Sequence, residues 1–220
     1  MNYKSKTHFN FIIILLILFQ FNPLQAQLLH SIDVIAGAPL NFDSKVSFHQ
    51  AGEEDISLMG QYISKPLEDP YYLGFRLNFN IADHVWELQF LHHKVYLTNT
   101  TEQVQHFEIT HGFNTLTAHY RFIYDEFNLR LGTGVVLPHT ESTIRGVQHA
   151  STGGIFGWGY HITGPIFLAG INRDWMLGSH FYLNTELQFI GGWAKVPIFN
   201  GHAHATNFAF HFIFGIGYKL

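Results

Sequence analysis

One stretch of this sequence brings histidine and serine close together, and these residue types could act as a base and a nucleophile. His149 and Ser151 are separated by a single residue, and His161 follows ten positions later. A serine hydroxyl becomes nucleophilic when a neighbouring base accepts its proton and a third group orients that base. His111 lies on the strand expected beside this segment. The candidate catalytic residues, if the protein is an enzyme, are therefore His111, His149, Ser151 and His161.

A second grouping of histidines could hold a metal ion. His202 and His204 are two positions apart, so they would share one face of an extended segment. Imidazole pairs bind zinc or copper in proteins. No third ligand accompanies the pair at a fixed spacing, so the sequence leaves the metal open and indicates no cofactor. The 16 histidines of the chain could equally be amphipathic side chains that fill an interior and its rim.

Composition excludes several classes of protein. Charged residues make up 13% of the 220 residues, against roughly 25% in a soluble globular domain. The 22 Phe, 10 Tyr and 4 Trp are too many for a disordered chain. The absence of cysteine excludes a zinc ribbon or a disulfide framework. A net charge of −4 without a basic cluster argues against a nucleic-acid partner.

Residues 1–26 have the pattern of a secretory signal peptide. Lys4 and Lys6 form a basic start, residues 11–19 are an unbroken apolar run, and Ala26 ends a cleavage region. The apolar run is too short for a membrane-spanning helix, which needs about 20 residues. We expect cleavage after Ala26 and export of a mature chain of residues 27–220.

The mature chain alternates between apolar and polar residues with a period of two. From Phe208 to Leu220, every second residue is large and apolar, and the intervening residues are small or polar with one exception. Successive side chains of a strand point to opposite faces, so this pattern predicts a strand with one aromatic face. Similar alternation predicts eight strands, at residues 30–40, 71–81, 85–96, 107–123, 127–137, 159–171, 176–190 and 206–220.

The connections between these strands alternate strictly between long and short. Residues 82–84, 124–126 and 172–175 form the short ones, so all short turns fall at one end. Outer-membrane barrels have short periplasmic turns and long extracellular loops. We therefore predict an all-β fold, an eight-stranded antiparallel transmembrane β-barrel with a lipid-facing apolar exterior and a polar, plugged lumen. The alternative is a soluble eight-stranded barrel with the apolar face inside.

With these features, residues 27–220 resemble the small eight-stranded outer-membrane proteins of Gram-negative bacteria. The terminal strand 212–220 looks like the signal that the barrel-insertion machinery reads, although the chain ends in Leu220 where that family most often has an aromatic residue. The resemblance implies an outer-membrane location and contact with outer-membrane lipids and lipopolysaccharide. It also implies a transient interaction with the barrel-insertion machinery during biogenesis. We expect a monomer.

Eight strands enclose an interior that side chains can fill. Arg121 and Arg130 are expected to face each other inside the barrel, which is unfavourable without a carboxylate between them. Glu87, Glu186 and Asp33 are the inward-facing candidates. We predict that Glu87 or Glu186 lies within salt-bridge distance of Arg121 or Arg130, and that an open channel is absent.

Two functions fit this architecture, which hosts many activities. The first is a structural or extracellular-loop binding role. In that case the long 41–70 connection would present an acidic surface, formed by Glu53, Glu54, Asp55, Glu68 and Asp69.

The alternative is a lipid A-modifying enzyme of the deacylase or acyltransferase kind, with a His/Ser site near the extracellular rim. The His149-Ala150-Ser151 segment resembles the His-x-Ser spacing of outer-membrane lipid A deacylases. No acidic residue follows Ser151 until Asp174, which departs from that pattern. Such an enzyme needs a gap between strands for an acyl chain, and Pro138 or Pro165 could interrupt the ladder there.

Overall fold

The computed structural model describes residues 28–82, 84–110 and 112–220. The predicted signal peptide, residue 83 and the candidate His111 lie outside the described residues. Within them, no helix has the length and apolar character needed to span a membrane. The strands are β1 (Leu29–Asn41), β2 (Ser44–Gln50), β3 (Ile56–Gly60), β4 (Tyr62–Ile63), β5 (Leu73–Ile81), β6 (His84–His92), β7 (Val95–Leu97), β8 (Val104–Ile109), β9 (Phe113–Tyr124), β10 (Phe127–Pro138), β11 (Glu141–Ile144), β12 (Val147–Ala150), β13 (Thr163–Met176), β14 (Phe181–Ile198) and β15 (Gly201–Lys219).

Eight of these strands close into an antiparallel barrel. Their order is β1-β5-β6-β9-β10-β13-β14-β15, and β1 pairs with β15 to complete the ring. The closing ladder runs from Ser31 opposite Lys219 to Asn41 opposite Ala209 without a change of register. The all-β eight-stranded barrel predicted from the sequence is confirmed.

The two faces of the barrel wall have the chemistry that period-two alternation predicts. On β15, Phe214 is 65% exposed on the outside whereas His211 is 0% exposed on the inside. Near the short turns, the exterior carries a belt of exposed aromatic side chains: Trp86, Tyr124, Phe127, Trp175, Phe181 and Tyr218. An apolar outer band with aromatic girdles is typical of transmembrane barrels. The soluble alternative, with the apolar face inside, is wrong.

Two of the three short turns lie where the sequence predicts them, and the third does not. Asp125, between β9 and β10, adopts a positive φ of 44°, as tight hairpin turns require. Asn172 and Asp174, expected in a turn, lie within β13 instead, and the turn comprises residues 177–180. Polar residues at inward positions resemble turn residues in sequence because the lumen itself is polar.

The long connections at the other end are largely strands rather than loops. β2 follows β1 after residues 42–43, and it pairs with the start of β15, from Gly201 to Ala205. β3 extends this sheet beyond β2, while β12-β11-β8-β7-β4 form a separate five-stranded sheet. We call residues 44–63, 95–109, 141–150 and 193–206 the cap.

The cap has an apolar core of its own that continues into the mouth of the barrel. The ring of Phe48 on β2 packs edge-on against Phe107 on β8, with ring centroids 5.0 Å apart. Barrel residues such as Phe113, Val136 and Ile166 belong to the same buried cluster. The cap is therefore packed onto the barrel by a continuous hydrophobic core rather than tethered by flexible loops.

Candidate functional site

The centre of the lumen is a network of buried ion pairs built by inward positions of neighbouring strands. Arg121 on β9 and Arg130 on β10 are directly opposite each other. The Glu87 carboxylate accepts a hydrogen bond from Nε of each guanidinium, at 2.6 Å in both cases. Arg130 also contacts Glu186 on β14. The predicted carboxylate between the two arginines is confirmed, and both candidate glutamates take part.

A third guanidinium joins this network from β5. Arg76 donates from Nη2 to Oε2 of Glu186 at 2.6 Å and to Oε1 of Gln89 at 2.8 Å. Its other terminal nitrogen lies 3.5 Å from Oδ2 of Asp33. Both partners of the Arg76–Glu186 pair have fully buried side chains. Charges removed from water in this way need close partners, and the interleaved carboxylates supply them.

The neutral side chains His119 and Thr117 also form short hydrogen bonds within the network. His119 accepts a hydrogen bond at Nδ1 from Arg130 (2.6 Å), and its Nε2 lies 2.6 Å from the Thr117 hydroxyl. Because Arg130 can only donate, His119 Nδ1 is the acceptor, and its 3.4 Å approach to Glu87 is not an ion pair. Opposite His119, Gly132 leaves room for the ring, since a Cβ there would lie 2.2 Å from His119 Cδ2.

Above the ion pairs, the lumen changes from polar to apolar. The Tyr72 hydroxyl and His211 Nδ1 are 2.7 Å apart, and the ring of His93 packs edge-on against His211. The ring of His93 also contacts Phe113, a barrel residue in the buried cluster that cap and barrel share. The interior is thus filled from the ion-pair layer to the cap, which is the plugged lumen that the sequence predicts.

The structure places the described candidate catalytic residues in separate hydrogen-bonding environments. Ser151 Oγ accepts a hydrogen bond from the Thr140 backbone amide at 3.2 Å. His161 Nε2 lies 3.2 Å from the Thr152 carbonyl oxygen. His149 stands on β12 opposite Ser142, and its buried Nε2 has no hydrogen-bond partner. Among these three described residues there is no His–Ser hydrogen bond, and His111, the fourth candidate, lies outside the described residues.

The two prolines considered as interruptions of the barrel wall have different positions. Pro138 is the last residue of β10 and still pairs with Phe113 on β9. Pro165 pairs with Val135 beside a change of register in the β10–β13 ladder. Below this bulge the two strands pair continuously to Asn172. The wall is therefore irregular near Pro165 at the level of the barrel mouth and regular beneath it.

The outer face of the cap carries a cluster of three histidines. His202 and His204 project from the same face of β15, and β2 places His49 directly opposite His202. One nitrogen of each ring lies within 4.8 Å of the others. The rings of His49 and His202 are stacked with centroids 5.0 Å apart, and His204 stands nearly perpendicular to both.

Charged neighbours orient and tune this cluster. Asp55 Oδ2 lies 2.8 Å from Nδ1 of His49, and the Ser47 hydroxyl lies 3.2 Å from Nε2 of the same ring. Partial burial lowers the pKa of His202, with Lys195 and the other two imidazoles acting in the same direction and Asp55 opposing them. Partial burial also lowers the pKa of His204, again aided by His49 and Lys195. These shifts favour the neutral, metal-binding form of both rings.

The sequence indicated two of these histidines and missed the third. The spacing of His202 and His204 indicates that they share a face, whereas His49 is separated from them by most of the chain. A signal for His49 does exist, because Val46 and Phe48 alternate with Lys45, Ser47 and His49 in the manner of a strand. The pairing of that strand with β15 depends on contacts that sequence spacing does not show.

Comparison with known proteins finds likeness in architecture alone. No protein-family model matches the sequence, and no curated protein matches it. Among solved structures, Neisserial surface protein A is 10% identical with a TM-score of 0.40, over 86% of this chain and 95% of that chain. The outer membrane protein OprG from Pseudomonas aeruginosa is 12% identical with a TM-score of 0.42, over 89% and 98%. The outer membrane protein AlkL is 13% identical with a TM-score of 0.40, over 88% and 91%. The closed eight-stranded ring, given by this chain's own strand pairing, is the architecture that the sequence predicts.

Proposed function

We propose that this protein is a closed outer-membrane barrel that displays a rigid β cap at the cell surface, with a structural or binding role rather than a transport role. The observation that carries the proposal is the filling of the barrel, by buried ion pairs in its middle and by the cap core at its mouth. Eight-stranded barrels have an interior that side chains can fill, and here both layers are occupied. The barrel wall contacts outer-membrane lipids and lipopolysaccharide.

The cap supports a display role because it is built like a protein core rather than like a set of loops. Two sheets enclose buried aromatic and aliphatic side chains such as Phe48, Phe107 and Ile144. A preorganised surface of this kind loses little conformational entropy when a partner binds. Part of the acidic surface expected from residues 41–70 is paired, since Asp55 contacts His49 and Lys65 contacts Glu68 at 3.1 Å.

Two measurements test this proposal, one on the refolded mature chain and one on intact cells. In planar lipid bilayers we expect no stepwise conductance, and regular channel openings would contradict the closed lumen. The second experiment inserts a short epitope after Gly52, in a turn where a Cβ would meet no atom within 4 Å. We expect antibody to label this epitope on intact cells. Labelling that requires permeabilised cells would contradict surface display of the cap.

A further inference from the structure

We propose that His49, His202 and His204 form a binding site for a divalent transition-metal ion, with zinc as the favoured ion, on the outer face of the cap. This site goes beyond the proposed display function, because it assigns a ligand to the protein and does not depend on a closed lumen.

The register of two strands brings the three ligands together. His202 and His204 are two residues apart on β15, so their side chains share one face. His49 on β2 lies directly opposite His202, where side chains of paired strands approach closely. A tetrahedral zinc ion with Zn–N distances of about 2.1 Å needs its nitrogens about 3.4 Å apart. The observed limit of 4.8 Å is close enough for rotations of these surface rings to close the site.

Asp55 contacts one of the three ligands and can orient its ring. Metal-ligating histidines commonly donate the N–H of their other nitrogen to a carboxylate, which fixes the tautomer and the ring orientation. Asp55 Oδ2 is 2.8 Å from Nδ1 of His49, so Nδ1 carries the proton and the lone pair of Nε2 is available. The Ser47 hydroxyl lies 3.2 Å from Nε2 and would give way to the ion.

The donor set determines the chemistry of the site. Three neutral imidazoles favour zinc or copper over magnesium or calcium, which prefer oxygen ligands. A fourth position remains for water or for a group from a partner, as in zinc sites with three protein ligands. Because the ligands come from β2 and β15, a bound ion would join these two strands of the cap.

Zinc binding to the refolded, untagged mature chain tests the site. We expect one zinc per chain by competition with a chromophoric chelator, and we expect cobalt to bind with visible d–d absorption bands. His49→Ala, His202→Ala and His204→Ala should each abolish the stoichiometric site. Asp55→Asn should weaken zinc affinity by about 10- to 100-fold.

Two variants serve as matched controls. Ser47→Ala removes only the competing hydroxyl, so zinc affinity should be retained or increased. His106→Ala removes an exposed histidine of the cap that pairs with Glu108 at 3.1 Å, and it should bind zinc like the parent. Absence of stoichiometric zinc binding would overturn the proposal. Binding that survives the triple alanine variant of His49, His202 and His204 would also overturn it, because the ion would then lie elsewhere.

Discussion

Arg121 and Arg130 face each other across the β9–β10 ladder, with their side chains directed into the barrel. Like charges in opposed positions destabilise a pair of strands, and Arg130 is completely shielded from solvent. The arrangement is tolerated because both guanidiniums contact the single carboxylate of Glu87. Glu87 is the anion that the two guanidiniums share, while Arg130 also contacts Glu186 and Arg121 also pairs with Asp174 at 3.0 Å.

Replacing Glu87 with Gln should destabilise the barrel by up to about 3–5 kcal/mol, the cost of removing one partner of a buried ion pair, because Glu186 and Asp174 each contact only one of these two guanidiniums. The protein is refolded into lipid vesicles, and the measurement is how the fraction of folded, heat-modifiable barrel seen by gel electrophoresis depends on urea concentration. Glu126→Gln is the control, because Glu126 pairs with Arg173 at the exposed short-turn end (2.7 Å) and such pairs contribute about 1 kcal/mol or less. Equal losses in the two variants would contradict a dominant role for Glu87.

A methyl group added at Gly132 should destabilise the barrel by about 1–3 kcal/mol, as overpacking of interiors does. The added Cβ would lie 2.2 Å from Cδ2 of His119, and the ring is held by its contacts with Arg130 and Thr117. A double-mutant cycle isolates this conflict from other effects. Gly132→Ala should cost clearly less in the His119→Ala background, and strictly additive losses in the same urea assay would disprove the steric explanation.

Loss of the Phe107 ring should loosen the cap without unfolding the barrel. Phe→Ala changes in cores cost about 3–5 kcal/mol, and Phe107 packs against Phe48 inside the cap. We expect Phe107→Ala to be cut within the cap by proteases that leave the parent intact, while the barrel keeps its heat-modifiable mobility. Phe156→Ala, at a ring that is 81% exposed, should resist proteolysis like the parent. Loss of the folded barrel band in Phe107→Ala would show that the cap is not a separable layer.

The barrel was predictable from the sequence because its wall has one apolar and one polar side. A strand such as β15 shows this directly, with Phe212 and Phe214 outside and His211 inside. The arginine–carboxylate pairing was also predictable, because a tight turn at Asp125 fixes the register of Arg121 and Arg130. Local rules of alternation and turn geometry determine these features.

The cap and the three-histidine cluster were not predictable by the same rules. Short strands such as β4, of two residues, carry too little alternation to be recognised alone. The pairing of His49 with His202 depends on β2 continuing the path of β1 alongside β15, which is a long-range consequence of barrel closure. The third turn was predicted at the wrong place for a related reason. Asn172 and Asp174 line the polar lumen, so in sequence they look like turn residues.

Lipid A is the substrate class of the alternative function, in which Ser151 would be the nucleophile. A serine nucleophile needs a base within hydrogen-bonding distance, whereas Ser151 exchanges hydrogen bonds with the backbone of Thr140, accepting at 3.2 Å and donating its own amide at 2.8 Å. This geometry gives Ser151 a role in holding the end of the β11–β12 hairpin. We therefore expect identical lipid A mass spectra from cells with the gene, cells without it, and cells with Ser151→Ala. The parent and the Ser151→Ala variant are compared at equal levels of the barrel. A shift of one acyl chain or one oxygen atom that disappears in Ser151→Ala would contradict the display function and establish a lipid A-modifying enzyme.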